Sequence, residues 1–178
     1  MVEINYNQLS IISLRGLKNK KSPLYSQTMN WVKSMEEERD GENGNDFCKW
    51  IETNLDNKLP FDTYVLVQNQ DLVLGTASIV PDDQCVGKQL NITGIWLGGV
   101  NIHRNYRGKG LGNVLVDFVD QNMKKLVEAD KKSYVLNLFS RNPIAILMYK
   151  KRGFRKLENL VVNHAGHENE VYSKGYEK

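Results

Sequence analysis

The sequence predicts a single α/β domain, and three observations support that fold class. The chain has 178 residues, 40% of them hydrophobic and 25% charged, which is an ordinary globular composition able to form a core. Short runs rich in β-forming residues alternate with amphipathic helical patterns. A glycine-rich loop, Arg107 to Gly112, joins a β-rich run to a helical pattern. The chain is therefore expected to form a sheet flanked by helices.

The first half of the chain contains four predicted strands and two helices. A strand at 8–16 and a basic turn at 18–23 precede an amphipathic helix at 24–38. After a polar loop, Asp46 is a candidate N-cap of a second helix, which carries apolar residues at i, i+3, i+4 and i+8. The strands at 61–68 and 72–80 are separated by Asn69-Gln70-Asp71, a hairpin pattern, and a third strand of this meander spans 91–103.

The second half alternates helices and strands. The predicted elements are a helix at 111–129, a strand at 133–139, a helix at 142–152 closed by Gly153, and strands at 154–162 and 170–176. The element order is β-αα-βββ-α-β-α-ββ.

The glycine loop has the composition of an anion site. Glycines at 108, 110 and 112 remove every Cβ from the turn, so backbone N–H groups can approach a phosphate. The helix that follows adds unpaired N–H groups and the positive end of its dipole. The spacing excludes two common alternatives. Gly112 is followed by Asn-Val, so no P-loop lysine is present, and the last interval is wrong for a dinucleotide GxGxxG fingerprint.

Two motifs resemble those of the GNAT superfamily of N-acetyltransferases. Residues 107–112 match [RQ]-x-x-G-x-[GA], the acyl-CoA pyrophosphate loop of that superfamily. Downstream, residues 142–154 match N-x-x-A-x-x-x-Y-x-x-x-G-F, with Asn142, Tyr149 and Phe154 in register. The two motifs and the elements between them cover about residues 92–156, and the N-terminal third carries no diagnostic residue.

The resemblance implies a GNAT fold: a central mixed, largely antiparallel, twisted sheet of six to seven strands with about four helices. It divides the chain into an acceptor side at 1–60, an acetyl-CoA-binding core at 61–156, and C-terminal strands at 157–178. It implies an acetyltransferase of class EC 2.3.1.- that moves an acetyl group directly to a primary amine of a small molecule or peptide. The expected cofactor-binding residues are Val100, Asn101, Ile102, Arg107, Gly108, Lys109, Gly110, Leu111, Gly112, Asn113, Asn142 and Tyr149.

In this resemblance, pantetheine would pair with the backbone at 100–102, and the pyrophosphate would take the N–H groups from Gly108 to Asn113. Tyr149 would be the general acid that protonates the departing thiolate, although a tyrosine packed in the core is the simpler alternative. Asn142 would bind the pantetheine arm, cap its helix, or do both.

The general base is not identified by the sequence. Many family members have a glutamate in the third meander strand or at the place of Asn137, but neither 92–103 nor 133–139 contains a carboxylate. His103, a water-mediated Asp82 or Asp83, and deprotonation by solvent remain alternatives. This gap leaves open a non-catalytic CoA-binding sensor or interaction module.

Charged clusters give weaker signals. The acidic residues at 36–46 would attract a cationic amine or form a solvated loop. The basic residues at 150–156 would contact the cofactor's 3′-phosphate, form a solvated face, or bind nucleic acid. The net charge of only +3 does not favour nucleic-acid binding. His164 and His167 have metal-like spacing without further ligands, so no metal is expected.

Absent signals limit the location and the partners. The sequence shows neither a signal peptide nor a membrane-spanning run, so the expectation is a cytoplasmic protein that binds no membrane. Cys48 and Cys85 lack CxxC or metal spacing and are expected to be reduced thiols. The amine acceptor, acyl groups other than acetyl, and the oligomeric state are not determined, although many relatives are dimers and a homodimer is an option.

Overall fold

The structure of the chain is a computed structural model that describes residues 3–40, 44–55, 61–81, 86, 90–92, 94–164 and 166–178. The side chains at 36–40 and 44 are not described. The chain divides into two compact units, one formed by Met1–Ser78 and Gly99–Leu115, the other by Ile79–Gly98 and Val116–Lys178.

The predicted sheet is confirmed, with seven strands in the order β1-β2-β3-β4-β5-β7-β6. The strands are β1 (Leu9–Ser13), β2 (Asp62–Gln68), β3 (Leu72–Val80), β4 (Ile95–Ile102), β5 (Tyr134–Ser140), β6 (Arg155–His164) and β7 (His167–Tyr176). The helices are α1 (Leu14–Asn19), α2 (Pro23–Asp40), α3 (Gly44–Asn54), α4 (Leu111–Asp130) and α5 (Pro143–Lys150).

In the first unit, β1 pairs antiparallel with β2, and the register runs from Leu9 opposite Gln68 to Ser13 opposite Tyr64. Every residue of β2 is buried, as in a strand covered on both faces. The hairpin between β2 and β3 has positive φ at Asn69 (54°) and Gln70 (64°). Type I′ turns have this geometry, and it matches the twist of the paired strands. The predicted hairpin is therefore confirmed.

The start of the chain differs from the prediction. The strand predicted at 8–16 ends at Ser13, where α1 begins. The Ser13 hydroxyl accepts a hydrogen bond from the N–H of Gly16 at 3.0 Å and donates one to the buried carboxylate of Asp62. This N-cap and its long-range partner end the strand, although Leu14 and Leu17 have the apolar character of a continuing strand.

Two other element boundaries also differ. Helix α3 begins at Gly44, so Asp46 lies in its first turn rather than at the N-cap. The strand predicted at 91–103 is shorter, because β4 begins only at Ile95. Gly94, with a φ of 141°, comes directly before β4 in a conformation that favours glycine.

In the second unit, β5 pairs antiparallel with β7 from Tyr134 opposite Tyr176 to Ser140 opposite Glu170. Strands β6 and β7 form a hairpin in which His164 lies opposite His167. Helix α4 places Asp120 in this unit, where Lys174, Lys124 at 2.8 Å and the hydroxyl of Tyr176 at 2.8 Å all contact its carboxylate.

Replacing Asp120 by Asn should lower the free energy of unfolding by about 1–3 kcal/mol at pH 7, because a charged acceptor with several donors is lost. Burial alone would raise the pKa of Asp120, but the hydrogen bonds from Lys124, Lys174 and Tyr176 outweigh it and hold the pKa below its ordinary value of 3.8. The carboxylate therefore stabilises the fold above about pH 4, and its contribution is lost as pH falls through the folded pKa.

Urea unfolding of wild type and Asp120→Asn between pH 3 and pH 7 measures this dependence. Asp117→Asn is the matched control, since its carboxylate pairs with Arg152 at 2.7 Å but is 56% exposed; its loss should stay below about 1 kcal/mol. If the difference in free energy of unfolding between wild type and Asp120→Asn does not become smaller at low pH, the stabilising role of the Asp120 carboxylate is contradicted.

Among the described residues, no helix is long and apolar enough to cross a membrane.

Candidate active site

The glycine loop has the backbone geometry expected for an anion site. Gly108 and Gly110 have φ values of 75° and 71°, a region that residues with a Cβ rarely adopt. A Cβ built on Gly108 would meet nothing within 4 Å, and one on Gly110 would meet only Asn113 Nδ2 at 3.9 Å. The space beside both glycines is therefore open, and the first turn of α4 adds N–H groups without intrahelical acceptors. These residues fit the pyrophosphate of CoA.

The last residue of the predicted row of donors from Gly108 to Asn113 has a backbone partner of its own. The N–H of Asn113 donates to the carbonyl of Gly110 at 2.9 Å. This hydrogen bond closes the turn that starts α4. The side chain of Asn113 remains beside Gly110.

The loop is tied to the end of β4. Arg107 Nε donates to the carbonyl of Ile102 at 3.0 Å, so this side chain holds the loop and the strand together within the first unit. A short 3₁₀ turn at Arg104–Tyr106 connects them. The structure thus brings the predicted residues 100–102 and 107–113 close together.

His103 lies at the start of that turn, and its side chain is the N-cap of the turn. Its Nδ1 accepts the N–H of Asn105 at 3.3 Å, and its ring stacks with Trp31 at 5.8 Å between centroids. A neutral imidazole that accepts through Nδ1 carries its proton on Nε2. In this tautomer Nε2 cannot take a proton from an attacking amine, which weakens the case for His103 as the general base.

Strand β4 has an irregular backbone at Gly99. Gly99 has a φ of 55°, and its carbonyl accepts the hydroxyl of Thr76 at 3.1 Å. In the second unit, β4 pairs parallel with β5, and in the described residues the register places Ile95 opposite Leu136 and Trp96 opposite Asn137. Beyond this register β4 continues through Val100, Asn101 and Ile102, the residues predicted to pair with pantetheine.

Aromatic side chains of α3 lie beside Gly99. A Cβ on Gly99 would meet Phe47 Cζ at 3.4 Å and the Ser78 hydroxyl at 3.2 Å. Phe47 stacks on Trp50 with 5.3 Å between ring centroids. Sequence periodicity identified both aromatic residues only as part of the apolar face of a helix. The position of Phe47 beside Gly99 of β4 depends on the tertiary structure.

In the second unit, Asn142 and Tyr149 lie on α5. Asn142 is the N-cap, and its side-chain oxygen accepts the N–H groups of Ile144 at 3.0 Å and Ala145 at 3.3 Å. The capping role predicted for Asn142 is confirmed. The helix ends at Lys150 rather than at the predicted 152. Gly153 closes it as expected, with a φ of 86° and an N–H that donates to the carbonyl of Lys150 at 3.0 Å.

Tyr149 is 6% exposed and packs edge-to-face on Phe154, with ring centroids 5.8 Å apart. Burial raises the pKa of Tyr149 well above 10, so the phenol keeps its proton at neutral pH. Within the described part of the chain, no residue forms a hydrogen bond with its hydroxyl. The group is thus a protonated donor that no structural hydrogen bond occupies.

Asn137, at the position where the family resemblance led us to look for a glutamate, has a structural role. It is 1% exposed, and its Nδ2 donates to the carbonyl of Ile95 at 3.4 Å. This contact lies where β4 pairs with β5. The amide therefore stabilises the sheet at this point.

The basic residues at 150–156 are partly neutralised. Arg152 Nε pairs with Asp117 Oδ1 at 2.7 Å, and Lys156 pairs with Glu170 at 2.5 Å. The ammonium group of Lys150 lies 5.7 Å from the ring centre of Tyr172. These contacts weaken the nucleic-acid alternative, which requires an unpaired basic patch.

Three of the residues named from the sequence lie outside the described part of the chain. Asp82, Asp83 and Cys85 lie outside the described residues, as do the side chains of the acidic cluster from 36 to 43. The described part of the chain contains no group of three or more residues able to hold a metal ion. The thiol of Cys48 donates to the carbonyl of Met29 at 3.5 Å.

Sequence reasoning missed one residue at the glycine loop. The hydroxyl of Tyr6 donates to the carbonyl of Lys109 at 2.5 Å. The two residues lie 103 positions apart, and no local pattern marks Tyr6.

Comparison with solved structures supports the fold. The ribosomal-protein-S18-alanine N-acetyltransferase from Escherichia coli is 15% identical, with 96% of this chain and 95% of that chain covered and a TM-score of 0.59. A GNAT-family acetyltransferase from Staphylococcus aureus Mu50 is 16% identical over 94% and 98% of the two chains, with a TM-score of 0.60. An agmatine N-acetyltransferase is 12% identical over 95% and 100%, with a TM-score of 0.63.

No curated protein matches the sequence at a significant level. The family model described as "Acetyltransferase (GNAT) family" matches residues 24–154, a range that contains the glycine loop and the motif around Tyr149. The chain belongs to the GNAT acetyltransferase family.

Proposed function

We propose that this protein transfers the acetyl group of acetyl-CoA directly to a primary amine of a small molecule or peptide. The observation that carries the proposal is the glycine loop, in which Gly108 and Gly110 adopt left-handed conformations open to a phosphate immediately before α4. Family membership indicates an N-acetyltransferase that uses acetyl-CoA.

Binding of the cofactor is assigned to backbone groups and a few side chains. The N–H groups from Gly108 to Gly112 would take the pyrophosphate, and the positive charges of Arg107 and Lys109 would favour it. The backbone at 100–102 would pair with the pantetheine amides as an added strand does. Asn142 would contribute its Nδ2, because its side-chain oxygen is already occupied by the cap.

The chemical step requires one bond to form and one to break. The neutral amine nitrogen attacks the thioester carbonyl carbon, the carbon–sulfur bond breaks, and the thiolate takes a proton. Tyr149 is the proposed donor of that proton, since its phenol is kept neutral by burial. The amine nitrogen loses its own proton to solvent, because no side chain is assigned as the base, and the N–H near Ile102 would polarise the carbonyl.

Deprotonation by solvent is the simplest account of the base. Neither β4 nor β5 contains a carboxylate, and Nδ1 of His103 is occupied by Asn105. An amine that enters already neutral needs no side-chain base. The rate should then rise with pH until the acceptor's own amine is deprotonated.

A thiol-release assay with acetyl-CoA and a panel of primary amines tests the proposal and its alternative together. Amine-dependent release of CoA, with the acetylated amine identified by mass spectrometry, is the expected result. Tight binding of acetyl-CoA without release for any amine would instead favour a CoA-binding sensor or interaction module. Failure to bind acetyl-CoA would overturn both.

A further inference from the structure

The N-terminal segment of the described chain, residues 3–8, is fastened to the end of β2. The N–H of Asn5 donates to Gln68 Oε1 at 2.9 Å, and Gln68 Nε2 donates to the carbonyl of Glu3 at 3.1 Å. Gln68 is only 2% exposed. A buried amide that uses both its donor and its acceptor on one segment holds that segment in a single position.

The segment then forms a short turn that presents Tyr6. The side chain of Asn5 accepts the N–H of Asn7 at 3.1 Å, and the carbonyl of Asn5 accepts the N–H of Gln8 at 3.0 Å. The carbonyl of Gln8 in turn accepts the N–H of Asn69 at 3.2 Å. The turn is therefore held at both ends.

Tyr6 reaches the glycine loop through its hydroxyl, which donates to the carbonyl of Lys109 at 2.5 Å. The residue is 56% exposed, so burial of its ring contributes little to holding it there. Both residues belong to the first unit. The hydrogen bond is thus the specific link between the N-terminal segment and the loop.

The orientation of one peptide plane follows from this bond. In a trans peptide the C=O of Lys109 and the N–H of Gly110 point in opposite directions. Gly110 has no Cβ, so the plane before it could otherwise rotate at little steric cost. By holding the carbonyl on one side, Tyr6 directs the Gly110 N–H to the other side.

We propose that Tyr6 is a positioning residue for the pyrophosphate site, because it orients the Gly110 N–H toward the bound anion. This inference rests on the proposed function. It extends the site to a part of the chain without any family motif. Because the Gly110 N–H already has its binding orientation, less conformational entropy is lost when the anion binds.

The test compares Tyr6→Phe with wild type, using one ligand that has the pyrophosphate and one that lacks it. Tyr6→Phe should weaken acetyl-CoA binding by about 3- to 10-fold, the loss typical of one hydrogen bond, measured by calorimetry. The affinity for S-acetylpantetheine, measured by NMR titration, should not change. An equal loss for both ligands, or no loss for acetyl-CoA, would overturn the inference.

Matched variants separate positioning from general stability. Tyr134→Phe removes a comparable 2.5 Å hydrogen bond, to Asp130. Asp130 is the last residue of α4, at the opposite end of that helix from the loop, so both affinities should stay unchanged. Asn5→Ala should weaken acetyl-CoA binding in the same direction, and Asn5→Asp should restore it, because a carboxylate oxygen can still accept the N–H of Asn7. The proposal would be contradicted if Tyr134→Phe lost affinity for acetyl-CoA, or if Asn5→Asp failed to restore that affinity.

A ligand-free measurement distinguishes failure of this inference from failure of the proposed function. The amide resonance of Gly110 should shift in Tyr6→Phe and stay in place in Tyr134→Phe. An unmoved resonance in Tyr6→Phe overturns the inference even if acetyl-CoA binds. If the Gly110 resonance shifts in Tyr6→Phe but the wild-type protein does not bind acetyl-CoA, the proposed function is overturned instead.

Discussion

Replacing Gly110 by Asp is expected to abolish measurable acetyl-CoA binding while the fold is retained. A carboxylate about 4 Å from a phosphate charge opposes binding by roughly 4 kcal/mol at an effective dielectric constant of 20, which is about a 1,000-fold loss of affinity. The Cβ itself fits, because its nearest neighbour would be Asn113 Nδ2 at 3.9 Å. Calorimetry with acetyl-CoA measures the effect.

Gly166 provides a matched control for backbone strain. Its φ of 73° is close to the 71° of Gly110, and a Cβ there would meet nothing within 4 Å, against one atom at 3.9 Å for Gly110. Gly166→Asp and Gly110→Asp should therefore lower stability by similar amounts, about 1 kcal/mol, but only Gly110→Asp should lose the cofactor. Wild-type affinity in Gly110→Asp would show that this loop does not bind the pyrophosphate.

The second large effect is expected at Tyr149. Tyr149→Phe should lower kcat by about 10²- to 10⁴-fold, the usual contribution of a general acid. Affinity for acetyl-CoA should hold, because the proposed anion contacts come from the glycine loop. The ring still packs on Phe154, so stability should change little. Steady-state kinetics with the best amine, together with calorimetry, separate kcat from binding.

Tyr64→Phe is the control for burial, since Tyr64 and Tyr149 are both 6% exposed and Tyr64 lies on β2. An unchanged kcat in Tyr149→Phe would mean that the thiolate takes its proton from water.

The pH dependence of kcat gives a second check on Tyr149. A general acid works in its protonated form, and burial raises the pKa of Tyr149 above 10, so its ionisation should cause no alkaline fall of kcat below pH 10.

Local rules account for much of the fold. The predicted span of β3, 72–80, and the start of α4 at Leu111 agree with the structure, because turn residues, glycine and helical periodicity act over a few neighbouring positions. The order of elements after β2 was likewise predicted. The error at the start of the chain occurs where a distant partner overrides local preference, since Asp62 and the Ser13 cap end β1 and start α1.

The sequence alone determined the glycine loop, the capped helix that carries Tyr149, and the family that both motifs indicate. These features depend on backbone conformations that only glycine adopts readily and on spacings within one helix. The tertiary structure decided which polar groups are already occupied. The Tyr6 hydroxyl holds the peptide before Gly110, and the Asp62 carboxylate accepts the hydroxyl of Ser13. Such pairings depend on where folding brings donors and acceptors together, and no periodicity in the chain encodes a contact across 103 residues.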